Sequence, residues 1–149
     1  QGKYDAGEGE LSDAASCLDW LQLYNPNAPF CWVCGFSFGA WISMQLLMRR
    51  PEIVGFLSVA PPASEYDFSF LAPCPSSGLM LQGEDDETIP PESVAKLVEK
   101  LSAQRGIQID YTLLPGADHF FTGKLDEMME VIDNYLDVNL PEEFKRISK

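Results

Sequence analysis

The chain is short of positive charge. Its 149 residues hold 10 Lys and Arg against 23 Asp and Glu, for a formal net charge of −13, and one histidine. Such a surface repels phosphate backbones and anionic lipid, which argues against nucleic-acid and membrane-surface roles. Cysteine is sparse too. Cys17, Cys31, Cys34 and Cys74 do not make a disulfide framework in a chain this long. No N-x-S/T sequon occurs. The longest apolar run, residues 30–48, approaches membrane-span length. Gly35, Ser37, Gly39, Ser43 and Gln45 interrupt it, so it reads as a buried strand followed by a helix. No signal peptide is visible, and a cytoplasmic location is expected. The chain starts at Gln1 without Met, so an upstream N-terminus is expected. There is no internal repeat, low-complexity segment or second domain. With 46% hydrophobic and 22% charged residues, the chain suits one globular domain with a sizeable core.

The hydropathy pattern alternates between two periods. After a Gly-rich loop over 1–9, Leu11, Ala14, Ala15, Leu18 and Leu21 share one helical face, and "NPNAP" ends that helix. Residues 30–36 form an apolar strand. Residues 38–50 form a helix with Trp41, Met44, Leu47 and Met48 on one side, stopped by Pro51. Strands follow at 53–60 and 78–83. A helix opens at Pro90-Pro91, with Val94, Leu97, Val98 and Leu101 inward. Residues 107–114 alternate cleanly, as a strand near a sheet edge does. A last helix over 124–138 turns Leu125, Met128, Met129, Ile132 and Leu136 inward, and the charged tail is expected to fray. Strands alternating with amphipathic helices predict an α/β fold, a parallel sheet with right-handed crossovers.

Two motifs overlap in "FCWVCGFSFGAW", residues 30–41. Cys31 and Cys34 form C-x-x-C. Three residues apart along a strand, their Cα atoms are about 10 Å apart and their side chains face opposite ways. A disulfide needs about 7 Å or less. Zinc would need further ligands, and Cys17, Cys74 and a single histidine do not supply a second pair. The pair is therefore expected to be packing, two small buried hydrophobes in the strand.

Gly35-Phe36-Ser37-Phe38-Gly39 is G-x-S-x-G, and it stands between a strand and a helix as a nucleophile turn must. The turn is tight enough that side chains on its flanks are expected to clash, hence two glycines. A serine needs a base. The sole histidine, His119, follows the 107–114 strand. The base needs a carboxylate. Asp86 follows the 78–83 strand, with Asp85 as the rival acid and Glu84 behind it. All three candidates follow strands of one parallel sheet, whose carboxyl ends share an edge. The chain order Ser, Asp, His suits the α/β-hydrolase arrangement.

On "GFSFGAW" at 35–41, "GEDDETIP" at 83–90 and "GADHFF" at 116–121, the sequence resembles the α/β-hydrolase superfamily over nearly its whole length. It looks most like a small lidless group near the dienelactone hydrolases and carboxylesterases. Gly83, Asp86, Ile89 and Pro90 fit the superfamily's acid-loop pattern, which favours Asp86. The resemblance implies a sheet of about eight strands, of which four are visible, so the first strands are expected to be missing. It makes Phe38 N–H one of two oxyanion donors; the other would come from an early loop that no residue here supplies. It makes the 30–36 strand central, leaving a bare apolar edge for an upstream segment or a second copy to cover. Only about seventeen residues, 61–77, stand where a cap domain would, which implies an open, shallow site. Phe36, Phe38, Phe120 and Phe121 are candidates to line an acyl pocket.

The expected function is that of a serine hydrolase acting on a small carboxylic ester or thioester. Ser37 is the nucleophile, His119 the base and Asp86 its orienting acid. No metal or organic cofactor is expected. Two alternatives stay open: a peptidase of the same fold, and a hydrolase-like scaffold impaired by a missing oxyanion donor.

Overall fold

A computed structural model describes residues 3–140. The described residues hold four strands and four α-helices, which alternate except that β2 is followed by β3 with no α-helix between. Helix α1 (Glu8–Tyr24) precedes β1 (Cys31–Phe36), α2 (Phe38–Arg49) and β2 (Ile53–Val59). Then come β3 (Gly78–Gly83), α3 (Pro91–Ser102), β4 (Ile109–Leu114) and α4 (Leu125–Asn139). The 61–77 connection carries one short 3-10 turn, Ser69–Leu71. The strands form one parallel sheet in the order β1-β2-β3-β4. The expected fraying of the charged tail falls at 141–149, outside the described residues.

Both sheet faces are covered, which is why β2 and β3 are almost wholly apolar. On one face Phe56 and Met80 pack beneath Met44, Leu46 and Leu47 of α2, Leu97 and Leu101 of α3, and Leu18 of α1. On the other, Leu57, Val59, Leu79, Leu81 and Leu114 meet Ile132 and Tyr135 of α4. Each such fully buried side chain contributes about 1.5–3 kcal/mol through removal from water. Arg50, just past the end of α2, ties α1 down through Asp19 at 2.6 Å while bonding Glu52 at 2.7 Å. These carboxylates hold the guanidinium's pKa above its ordinary value.

Several expected core positions lie elsewhere. Leu21 is exposed and lines an open cavity with Pro29, Phe30 and Val54. Leu125 and Met129 are exposed because α4 is rotated to bury Met128, Val131, Ile132, Tyr135 and Leu136. Trp41 packs against the core with Met44 and Leu47 as expected, half-buried, and its indole N–H bonds the Asp67 carbonyl at 3.0 Å, anchoring the 61–77 connection to α2. The first two residues of the expected fourth strand, Ile107 and Gln108, lie ahead of β4: Ile107 N–H closes a turn onto Gln104.

Strand β1 is an edge of the sheet. Cys31 and Val33 pack into the core on the α2 side, while Trp32 meets Tyr135 of α4 on the other. Cys34 and Phe36, next on that second face, are exposed. Cys34 is therefore not the buried hydrophobe expected; it stands exposed on the edge strand. The two thiols do point to opposite faces, and both are free. Partial burial, with Glu52 nearby, raises the Cys31 pKa, which disfavours the thiolate. Among the described residues no helix is long and apolar enough to cross a membrane.

Candidate active site

Strand β1 hands over to α2 through a single residue, Ser37. Its backbone is forced to φ 51°, ψ −124°, a region that costs a non-glycine residue about 1–3 kcal/mol. The Ser37 N–H donates to the Val59 carbonyl at 2.9 Å, and the Ser37 carbonyl accepts from Ala40 N–H at 2.8 Å. The strained turn is thus fastened at both ends. A Cβ on Gly35 would land on the Gly39 carbonyl and within 2.6 Å of Ala40 Cα, so the first glycine is sterically required. The second is not: a Cβ on Gly39 meets nothing within 4 Å among the described residues. The expected clash holds on one flank of the serine only, because Gly39 faces the open side of β1 and α2.

Asp86 sits in the loop after β3 with its carboxylate almost fully buried. Its Oδ1 accepts the backbone N–H groups of Thr88 at 2.9 Å and Ile89 at 2.7 Å. Its Oδ2 accepts from the Gln82 side-chain amide at 2.9 Å and lies 2.8 Å from His119 Nδ1. The rivals are placed otherwise. Glu84 and Asp85 are exposed, and the Glu84 side chain accepts Gly116 N–H at 3.3 Å. Their backbones lash the acid loop to the histidine loop, through Glu84 N–H to Leu114 and Asp85 N–H to Ala117. Gly83 makes that approach possible, since a Cβ there would strike the Ala117 carbonyl and come within 2.7 Å of Asp118 O.

His119 is buried, and its Nε2 stands 3.0 Å from Ser37 Oγ. Asp118 beside it shapes the turn: its Oδ1 accepts Phe120 N–H at 3.0 Å and Thr122 N–H at 2.8 Å. The Thr122 bonds are the main reason its carboxyl is held below the usual aspartate range. The loop then alternates inside and out, with Ala117, His119 and Phe121 buried and Phe120 exposed.

The aromatic candidates therefore divide. Phe36 lies 5.2 Å from the His119 ring and 6.2 Å from Phe120, centroid to centroid, and both phenylalanines are exposed. Phe121 is 1% exposed and packs with Val59, Leu81 and Ile132. It belongs to the core, and its backbone there is left-handed, at φ 54°. Phe38 opens α2, and its ring joins Tyr4, Trp41 and Tyr66 on the other side of the serine. A cavity of about 670 Å³ lies between the 61–77 connection and α3 and touches none of Ser37, Asp86 and His119.

Sequence reasoning missed Gln82, Asp118 and the Thr88 and Ile89 amides. Gln82 had a signal, a lone amide inside the apolar strand "GLMLQG" four residues before the acid. The backbone donors left none.

Known proteins resemble this chain over part of their length. Uncharacterized protein RP471 of Rickettsia prowazekii is 54% identical over 140 residues, which are 91% of this chain and 59% of that protein. A crystal structure of the protein of unknown function ATU1826 from Agrobacterium tumefaciens superimposes with a TM-score of 0.92 at 61% identity, over 94% of this chain and 64% of that one. XC6422 from Xanthomonas campestris, described as an α/β serine hydrolase without lid, gives 0.84 at 31% identity, over 94% and 61%. The chain thus spans about three fifths of the length of these relatives, and its fold is that of the α/β hydrolases. Residues 5–139 match the profile of the dienelactone hydrolase family; that stretch holds all four strands with Ser37, Asp86 and His119, and the chain belongs to this family of hydrolases.

Proposed function

We propose that this protein is a serine hydrolase that cleaves a small carboxylic ester or thioester through an acyl-enzyme. The observation that carries the reading is the unbroken hydrogen-bonded line from Ser37 Oγ through His119 to Asp86, with links of 3.0 and 2.8 Å. A neutral imidazole that gives its Nδ1 proton to Asp86 has a free lone pair on Nε2, facing the serine hydroxyl. His119 takes the Ser37 proton as Oγ attacks the acyl carbon. The imidazolium is stabilised by Asp86 and then protonates the departing alcohol or thiol. Water repeats the sequence on the acyl-serine and restores the enzyme. The N–H of Phe38, at the free N-terminus of α2, is the oxyanion donor this reading assigns.

Because His119 delivers the proton to the leaving group, that group sits over the imidazole. Phe36 and Phe120 flank the ring, so they form the shelf for it. The lidless description of XC6422 accords with an open site that admits varied small esters. The test is a panel of esters and thioesters of graded acyl length, assayed on wild type and Ser37→Ala. Turnover by wild type and none by the variant is expected; turnover surviving in Ser37→Ala refutes the mechanism.

A further inference from the structure

Gln82 is fully buried at the end of β3. Its amide nitrogen has three oxygen neighbours: Asp86 Oδ2 at 2.9 Å, the Ile89 carbonyl at 3.1 Å and the Gly83 carbonyl at 3.4 Å. Its Oε1 has no hydrogen-bond partner among the described residues. The orientation is dictated by chemistry. Turning the amide over would press a carbonyl oxygen against a carboxylate and two carbonyls. A buried amide with an unpaired oxygen stabilises a fold less than an apolar side chain of equal size. The amide's contribution therefore lies in what its N–H groups hold.

They hold the acid loop at two points. Ile89 gives its N–H to Asp86 Oδ1 and its carbonyl to Gln82. Asp86 takes two backbone N–H groups on one oxygen, and Gln82 and His119 share the other. Without Gln82, the imidazole would be the only hydrogen-bonding neighbour of Oδ2 among the described residues, and the carboxylate could swing about the axis set by Thr88 and Ile89.

Resting on the Ser37–His119–Asp86 reading, we infer that Gln82 is a positioning residue, whose N–H fixes Asp86 Oδ2 in line with His119 Nδ1 during proton transfer. It touches no substrate. Its loss acts on kcat through the imidazole's alignment and leaves KM nearly unchanged. Misplacing a reacting group by about 1 Å can cost on the order of a hundredfold in rate.

The experiment compares wild type, Gln82→Met and Gln82→His, with thermal unfolding run on each. Met fills similar volume without a donor; His restores an N–H at similar reach. The expected result is a kcat lowered about tenfold or more in Gln82→Met, with KM within about twofold, and most of the loss recovered in Gln82→His. Equal kcat in Gln82→Met and wild type overturns the inference, and so does an equal loss in the Met and His variants. Should Gln82→Met fail to fold, Gln82→Asn replaces it, since it keeps the amide but withdraws it by one methylene; undiminished kcat there overturns the inference as well. Fluorophosphonate labelling of wild-type Ser37 separates the two claims. Absent labelling defeats the triad reading, whereas labelling with an unchanged Gln82→Met kcat defeats only the role of Gln82.

Discussion

Ser37 Oγ and His119 Nε2 lie 3.0 Å apart although 82 residues separate them in the chain. Their meeting depends on two neighbouring loop contacts. Ser37 is fastened to the end of β2, and the loop carrying His119 is lashed to the one carrying Asp86. The parallel sheet brings the ends of β1, β3 and β4 to one edge, and these few hydrogen bonds set the final ångström.

The acid is the sharpest point of substitution. Asp86→Asn keeps shape and burial but offers His119 an amide in place of a carboxylate, which favours the wrong tautomer. Asp86→Asn is expected to lower kcat by about 10⁴-fold. Asp85→Asn, at an exposed neighbour, is expected to stay within about twofold of wild type. Steady-state kinetics on the two variants checks both.

Gly35 and Gly39 are alike in the motif and unlike in space. Gly35→Ala forces a Cβ into the backbone of Gly39 and Ala40 and is expected to destabilise by about 3 kcal/mol. Gly39→Ala, inside α2 with open space around it, is expected to be neutral or to stabilise by up to about 1 kcal/mol. Urea unfolding of the two variants measures the contrast.

Asp118 sets the pH response of the histidine loop. Its pKa is lowered in the folded state by the Thr122 and Phe120 bonds. The stability it contributes is therefore present above its ordinary value of 3.8 and is lost as pH falls through the lower folded value. Asp118→Ala is expected to melt below wild type at pH 7, with the gap closing below about pH 3.8. Melting curves across pH 2–7 (about five points) would show it; a gap constant with pH counts against the account.

The C-x-x-C pair is expected to have no part in turnover. Cys31 and Cys34 face opposite sides of β1, so replacing both with Ala is expected to leave kcat within about twofold, and reductants to have no effect. An activity that follows the redox state of the sample would contradict this.

The helices, strands and the three polar partners were legible because periodicity and motif spacing are local properties of the chain. Asp86 is preferred over Asp85 through the resemblance to the superfamily's acid loop, and Asp86 Oδ2 lies 2.8 Å from His119 Nδ1. What could not be read depends on how far one element reaches over another. Cys34 is exposed on the edge strand, Leu125 and Met129 lie on the face of α4 turned from the core, and Phe121 is buried with a left-handed backbone. Gln82 stood visible as an amide in an apolar strand, but only its three neighbours reveal which atoms it holds.

The central claim is that Ser37 is activated by His119 and Asp86. The most direct measurement is mass-spectrometric mapping of the adduct after treatment with a fluorophosphonate, on wild type, Ser37→Ala and His119→Gln. One adduct on Ser37 is expected in wild type, none in Ser37→Ala, and labelling slowed by about a thousandfold or more in His119→Gln. A folded wild-type protein that takes no label, or takes it elsewhere than Ser37, would contradict it.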